Sequence, residues 1–277
     1  MKMTYHQHCD GGLAPREQTV QAGDLRWRYL EWGTRGQPIA LWHGITSSAE
    51  GWWRLGPFLA SLGFHVFAPD LPGHGLSGDA PDYQITTTAR LLDAWMAALG
   101  LVSPVVLGHS WGGMNALVQA TLADAQVRPR ALVLEDPAVV LPHDPERVLP
   151  TYTAGLGTPA NETSRAALAA ANPRWHTCDA WWKATALERA RRAAVEGFFR
   201  HNAGLDLRDR LGALTQPTLL LLGDPAYGGL WQAAAVAQVQ ALAPALHVSV
   251  IPHSSHNLHR DAWEPFAMAL AHFLRTA

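Results

Sequence analysis

The stretch Gly108-His109-Ser110-Trp111-Gly112-Gly113 sets a serine among glycines, directly after the apolar run Val105-Val106-Leu107. An apolar β-type run that passes within a few residues into a helical pattern is the setting in which a serine hydroxyl can be presented as a nucleophile. Such a turn imposes a strained backbone on the serine, and Gly108 and Gly112 leave room around it. Attack on a carbonyl then needs a base to take the proton, an acid to orient that base, and N–H donors for the oxyanion. The backbone N–H of Trp111 points into the same space as the hydroxyl and is one expected donor. The other is expected from Trp42-His43-Gly44-Ile45-Thr46, where Gly44 lets the chain turn and the N–H of Ile45 is the candidate.

Fourteen histidines compete for the role of base. His256 lies just after the last strand-like run, in Ile251-Pro252-His253-Ser254-Ser255-His256-Asn257-Leu258, and is the expected base, with His253 as the alternative. His253, His256 and His259 are spaced by three, a metal-site spacing, but no carboxylate or cysteine clusters clearly with them, so no metal site is expected. The acid is open on the residues alone. Asp136, in Leu134-Glu135-Asp136-Pro137, and Asp224, in Leu222-Gly223-Asp224-Pro225, both follow strand-like runs.

These residues recur at one kind of place. Short apolar runs at 25–32, 39–42, 64–68, 105–107, 131–134, 218–222 and 247–251 alternate with helical patterns at 52–62, 87–99, 111–123, 231–242 and towards the C-terminus. Near-continuous apolar strands separated by helices predict an α/β fold with a mostly parallel twisted sheet covered by helices on both faces. Sites in such sheets lie at the carboxyl ends of strands. His43, Asp70, Ser110, Asp136, Asp224 and His256 all fall there. Residues 139–210 break the alternation: they open with Pro142, Pro145 and Pro150 and turn Ala- and Arg-rich. They are expected to form a helical cap, with 20–138 and 211–277 as the core. Trp175, Trp181, Trp182, Phe198 and Phe199 would mostly anchor that cap, with one or two lining a substrate cavity.

Composition narrows the partners. The 277 residues are 48% hydrophobic, enough for one large α/β core with an insertion. A net charge of −2 disfavours a nucleic-acid partner. Residues 1–20 are polar, and no apolar run reaches the roughly 18–20 residues of a membrane span, so a cytoplasmic protein with no membrane partner is expected. Of the two cysteines, Cys9 falls in a polar tail, and free thiols are expected. His6, His8 and Cys9 lack a fourth metal ligand, so a polar tail is the preferred reading there.

Taken together, the motifs resemble the α/β-hydrolase superfamily over nearly the whole chain. Trp42-His43-Gly44 looks like its oxyanion motif, and Asp70-Leu71-Pro72-Gly73-His74-Gly75-Leu76-Ser77 resembles its Asp-x-x-Gly-x-Gly-x-Ser loop. Gly108-His109-Ser110-Trp111-Gly112-Gly113 matches its elbow, and the stretch around His256 its histidine loop. The family's late acid commonly stands three residues after the glycine that ends the late strand, and here that position is Ala226. Relatives lacking the late acid take it from the end of the preceding sheet strand. The resemblance therefore implies Asp136, with Asp224 as the alternative and Glu135 third. A serine at 110 excludes the aspartate-nucleophile branches, the haloalkane dehalogenases and epoxide hydrolases.

The resemblance implies a serine hydrolase that needs no cofactor, working as a monomer or homodimer. The same resemblance implies an ester or lactone as the bond cleaved, through an acyl-enzyme, and the tryptophan-rich cap predicts a fairly apolar, small to medium substrate. A C–C bond hydrolase, an amidase, an aminopeptidase and a non-catalytic small-molecule receptor are the alternatives.

Overall fold

A computed structural model describes Cys9 and residues 12–243 and 245–277. Among these, eight strands form one sheet: β1 (Arg16–Ala22), β2 (Leu25–Trp32), β3 (Pro38–Trp42), β4 (His65–Pro69), β5 (Val105–His109), β6 (Ala131–Glu135), β7 (Thr218–Gly223) and β8 (His247–Ile251). Their order is β1-β2-β4-β3-β5-β6-β7-β8. β1 and β2 run antiparallel, as do β2 and β4, and every later pairing is parallel. The fold is thus the expected α/β architecture.

Side-chain alternation splits the core in two. Trp42, Val106, Leu132, Leu134 and Leu220 face one layer, with α2 (Ile85–Ala98) and α3 (Trp111–Ala120). Leu41, Val105, Leu107, Val133 and Leu219 face the other, with α1 (Leu55–Ser61) and the C-terminal α11 (Trp263–Thr276). Successive residues of one strand feed opposite layers because the strand period is two. Covering both faces is what makes these strands apolar throughout. β1 escapes that pattern: it is an edge strand, Arg-Glu-Gln-Thr-Val-Gln-Ala, largely exposed. The sheet accordingly includes β1 from Arg16.

Between β6 and β7 the chain forms α4 (Leu149–Thr153), α5 (Glu162–Ala171), α6 (Thr177–Arg189), α7 (Arg192–His201) and the short α8 (Arg208–Gly212). The two ends of this insertion meet: Leu207 N–H donates to Val139 O at 2.8 Å, and Leu141 N–H to Leu205 O at 2.9 Å. α7 buries Ala194, Val195, Phe198 and Phe199, and the Phe198 ring lies 5.6 Å from that of Trp111. The insertion therefore packs over the first turn of α3. α9 (Ala233–Leu242) and α10 (Leu258–Asp261) complete the helices. Trp27, Trp32, Trp42, Trp52, Trp95 and Trp111 are fully buried, which accounts for half of the twelve tryptophans as core.

Cys9 and Cys178 form a disulfide, which corrects the expectation of free thiols. Cys9 packs with Trp53 and Trp182, and Trp182 Nε1 donates to its carbonyl at 3.4 Å. That anchor is built by residues far along the chain, so local composition gave no sign of it. Disulfides persist mainly in oxidising compartments. His6 and His8 lie outside the described residues. No helix among the described residues is long and apolar enough to cross a membrane.

Candidate active site

The turn from β5 to α3 holds Ser110 at φ 53°, ψ −116°. This region is unfavourable for any residue with a Cβ, and it is sustained by backbones that approach closely. A Cβ on Gly112 would stand 2.0 Å from the Trp42 carbonyl oxygen, and one on Gly108 would stand 2.3 Å from that of Gly112. Neither position accepts a side chain. The loop after β3 abuts the serine, since a Cβ on Gly44 would lie 3.1 Å from Ser110 Cβ. Among the described residues, neither Trp111 N–H nor Ile45 N–H donates to an acceptor, although both residues are buried. Trp111 also opens α3, so its N–H carries the positive end of the helix dipole. Unspent N–H donors are what negative charge developing on oxygen requires, and these two lie on the residues that follow Ser110 and Gly44.

His256 Nδ1 lies 2.8 Å from Asp136 Oδ2. Asp136 follows β6, is fully buried and sits at φ 41°. Its Oδ1 accepts from Gly223 N–H at 3.3 Å and its Oδ2 from Leu230 N–H at 3.1 Å. The carboxylate thus fixes Nδ1–H on the imidazole and leaves Nε2 as the acceptor. Asp224 does not join them. Its exposed carboxylate closes its own turn, accepting from Ala226 N–H and His253 N–H at 3.0 Å each, and these bonds hold it below the usual carboxylate range. His253 is exposed, with its ring against Tyr227. Glu135 serves a second histidine: its Oε1 accepts from His259 Nδ1–H at 2.7 Å and from His259 N–H at 2.9 Å.

That second pair was not foreseen from sequence. His259 Nε2 accepts from Arg260 Nε at 3.1 Å, and its ring stands edge-on to that of His109, 5.0 Å away. His109 in turn donates from Nε2 to the His256 carbonyl at 2.9 Å. The residue before Ser110 therefore ties down the backbone of the loop that carries His256. The spacing of His256 and His259 carried this signal, but their carboxylate partners lie more than a hundred residues away. His109, Glu135 and His259 bring potential metal-ligand atoms within 4.8 Å of one another. The bonds just named already occupy most of those atoms.

Two further histidines hold the loop that follows β3. His43 Nδ1–H donates to Gly44 O at 2.8 Å, and its Nε2 accepts from Leu71 N–H at 2.9 Å. His74 Nδ1–H donates to Pro72 O at 3.0 Å, and its Nε2 accepts from Thr46 N–H at 3.3 Å. Thr46 is thereby spent, which leaves Ile45 as the free donor. Asp70 braces the same loop by accepting from Ala49 N–H at 2.9 Å, and it is paired with Arg28, as is Glu50.

Complete burial pulls both His43 and His74 down to about 3. A free imidazole titrates near 6.5, so between these values the unfolded chain binds more protons than the folded one. The stability they contribute is complete above pH 6.5 and is lost as pH falls towards 3. At pH 5 the expected loss is about 2 kcal/mol for each histidine. Urea unfolding at pH 7 and pH 5 checks this, and a midpoint unchanged between the two would overturn it.

Similarity to known proteins agrees with this geometry. The sequence profile of the alpha/beta hydrolase fold family matches residues 37–262. The N-formylmaleamate deformylase of Pseudomonas putida is 32% identical over 269 residues, spanning 92% of this chain and 95% of that one. The solved structure of the N-formylmaleamic acid deformylase of P. putida S16 superposes with a TM-score of 0.74 at 25% identity, over 92% of this chain and all of that one. That of E-2-(acetamidomethylene)succinate hydrolase reaches 0.82 at 24% identity, over 94% and 99%. The chain belongs to the α/β-hydrolase family.

Proposed function

We propose that this hydrolase cleaves the acyl–nitrogen bond of a small N-acyl compound through a covalent acyl-serine. The observation that carries the reading is the buried Asp136 carboxylate, 2.8 Å from His256, at the end of the strand beside the serine turn. Ser110 Oγ attacks the acyl carbonyl while His256 Nε2 takes its proton. Asp136 holds the imidazole's tautomer and stabilises the imidazolium. The N–H groups of Ile45 and Trp111 receive the oxyanion. His256 returns the proton to the departing nitrogen, and water, activated by the same imidazole, releases the acid and restores the serine.

The bond assignment rests on the full-length relative, a deformylase. It favours the amide alternative over the ester or lactone expected from sequence. An aminopeptidase would need grouped carboxylates in the insertion. Those that meet are already neutralised, and others are bonded elsewhere: Glu146 and Glu196 share Arg200, Glu188 accepts from Ala160 N–H, and Asp179 accepts from Trp53 Nε1. An apolar ester is the second reading. It is favoured by a cavity of about 330 Å³ lined by Leu141, Tyr152, Phe199 and Trp231, next to Pro137.

The test compares N-formylmaleamate with p-nitrophenyl butyrate and labels the protein with a fluorophosphonate. Formate release with a kcat/KM at least tenfold above that for the ester is expected, together with one covalent label per chain. Labelling with ester turnover alone would move the assignment to the ester. Absence of both labelling and turnover would overturn the serine mechanism.

A further inference from the structure

Lys183 projects from α6 onto the oxyanion loop. Its Nζ donates to the Thr46 carbonyl at 2.8 Å and to Thr46 Oγ1 at 2.7 Å. Thr46 follows the free donor Ile45 and is itself held at φ 62°. Lys183 is partly buried, yet no carboxylate among the described residues pairs with it. Its charged neighbour Arg260, on α10, has Asp179, Glu135 and Asp261 around it. The imidazoles of His43 and His74, which also feel Lys183, are held neutral. Burial, with Arg260 adding to it, draws Lys183 down to about 7. A sheltered ammonium with no counter-charge is unfavourable unless an anion joins it. Two of its three N–H groups are spent on Thr46 and the third is unassigned.

We propose that Lys183 is an anion subsite that receives a carboxylate carried by the substrate, so that the protein acts on short N-acyl compounds bearing a free acid. This rests on the hydrolytic reading above and adds the substrate class to it. The reach is short, because consecutive Cα atoms are about 3.8 Å apart and Lys183 grips the residue next to the oxyanion donor. A carboxylate held by Lys183 would then need only a short spacer to the acyl carbonyl that Ser110 attacks. Long acyl chains or remote acids do not fit that spacing. The cation comes from the inserted segment and already joins it to the loop after β3.

The alternative role for Lys183 is a tether between insertion and core, and the two roles part experimentally. The probes are N-formyl monoamides of a four-carbon diacid, one with its second acid free and one with that acid converted to a primary carboxamide. Wild-type protein is expected to prefer the free acid by about 30-fold in kcat/KM, the scale of one charge-assisted hydrogen bond. Lys183→Met is expected to lose that preference through KM, leaving the carboxamide within about threefold. Lys183→Gln, which can still donate to Thr46, is expected to behave in the same way, and so guards against a folding effect of the methionine. Equal loss on both probes, or no preference in the wild type, would overturn the subsite. Calorimetric binding of maleate to the wild type and to both variants needs no turnover. Binding weakened at least tenfold in the variants supports the subsite even if neither amide is cleaved, and equal binding overturns it.

Discussion

Ser110→Ala is expected to lower kcat by about 10⁶-fold, the loss seen when the nucleophile of a serine hydrolase is removed, and to abolish the fluorophosphonate label. The size follows from position. Ser110 Oγ makes no hydrogen bond among the described residues, so it contributes nothing to the fold that a methyl group would not. Its environment is nevertheless built around it. The strained turn and the close approaches of Gly112 to the Trp42 carbonyl and of Gly44 to Ser110 all lie there. Alanine tolerates the turn no worse than serine, since both carry one Cβ, so the melting temperature should stay within about 3 °C. Residual turnover above the uncatalysed rate would come from the oxyanion donors and binding alone. Activity within tenfold of wild type, with the fold intact, would mean that the reacting group lies elsewhere.

What could be read from sequence is what the chain encodes locally. The serine turn declares itself because strand, turn and helix are contiguous and because Gly108 is demanded by contacts within the same few residues, whereas Gly112 is demanded by the distant Trp42 carbonyl. The parallel strands were readable because burial on both faces leaves them apolar, whereas β1, polar and at the edge, carried no such mark. The acid was harder. Asp136 and Asp224 both end strands, and only the fold decides which is turned towards His256. Lys183 was not legible at all: it is one of only two lysines in the chain, but nothing near it in sequence marks a role, and its meaning comes from Thr46, 137 residues earlier. The Cys9–Cys178 disulfide, closed over 169 residues, was misread for the same reason. Long-range partners leave no spacing to recognise, so the site's local half could be read and its tertiary half could not.

Asp136→Asn separates the two candidate acids. It should lower kcat by about 10⁴-fold, because an amide can donate to Nδ1 and so favours the wrong tautomer of His256. The fold should tolerate it. Asparagine accepts a positive φ more readily than most residues, and its carbonyl oxygen can still take one of the bonds from Gly223 and Leu230. A loss of a few °C in melting temperature is expected, from the one buried N–H left without its acceptor. Asp224→Asn should leave kcat within about threefold, since that side chain is exposed and bonds only to Ala226 and His253 N–H. The pair of variants also tests the Glu135–His259 unit. If Glu135→Gln lowers kcat only modestly while Asp136→Asn is nearly inactive, the second pair positions the histidine loop through His109 and exchanges no proton with substrate. The reverse ranking of Asp136 and Asp224 would require His256 to swing about its loop to a carboxylate that the structure holds in a separate turn, and the triad proposed here would fail.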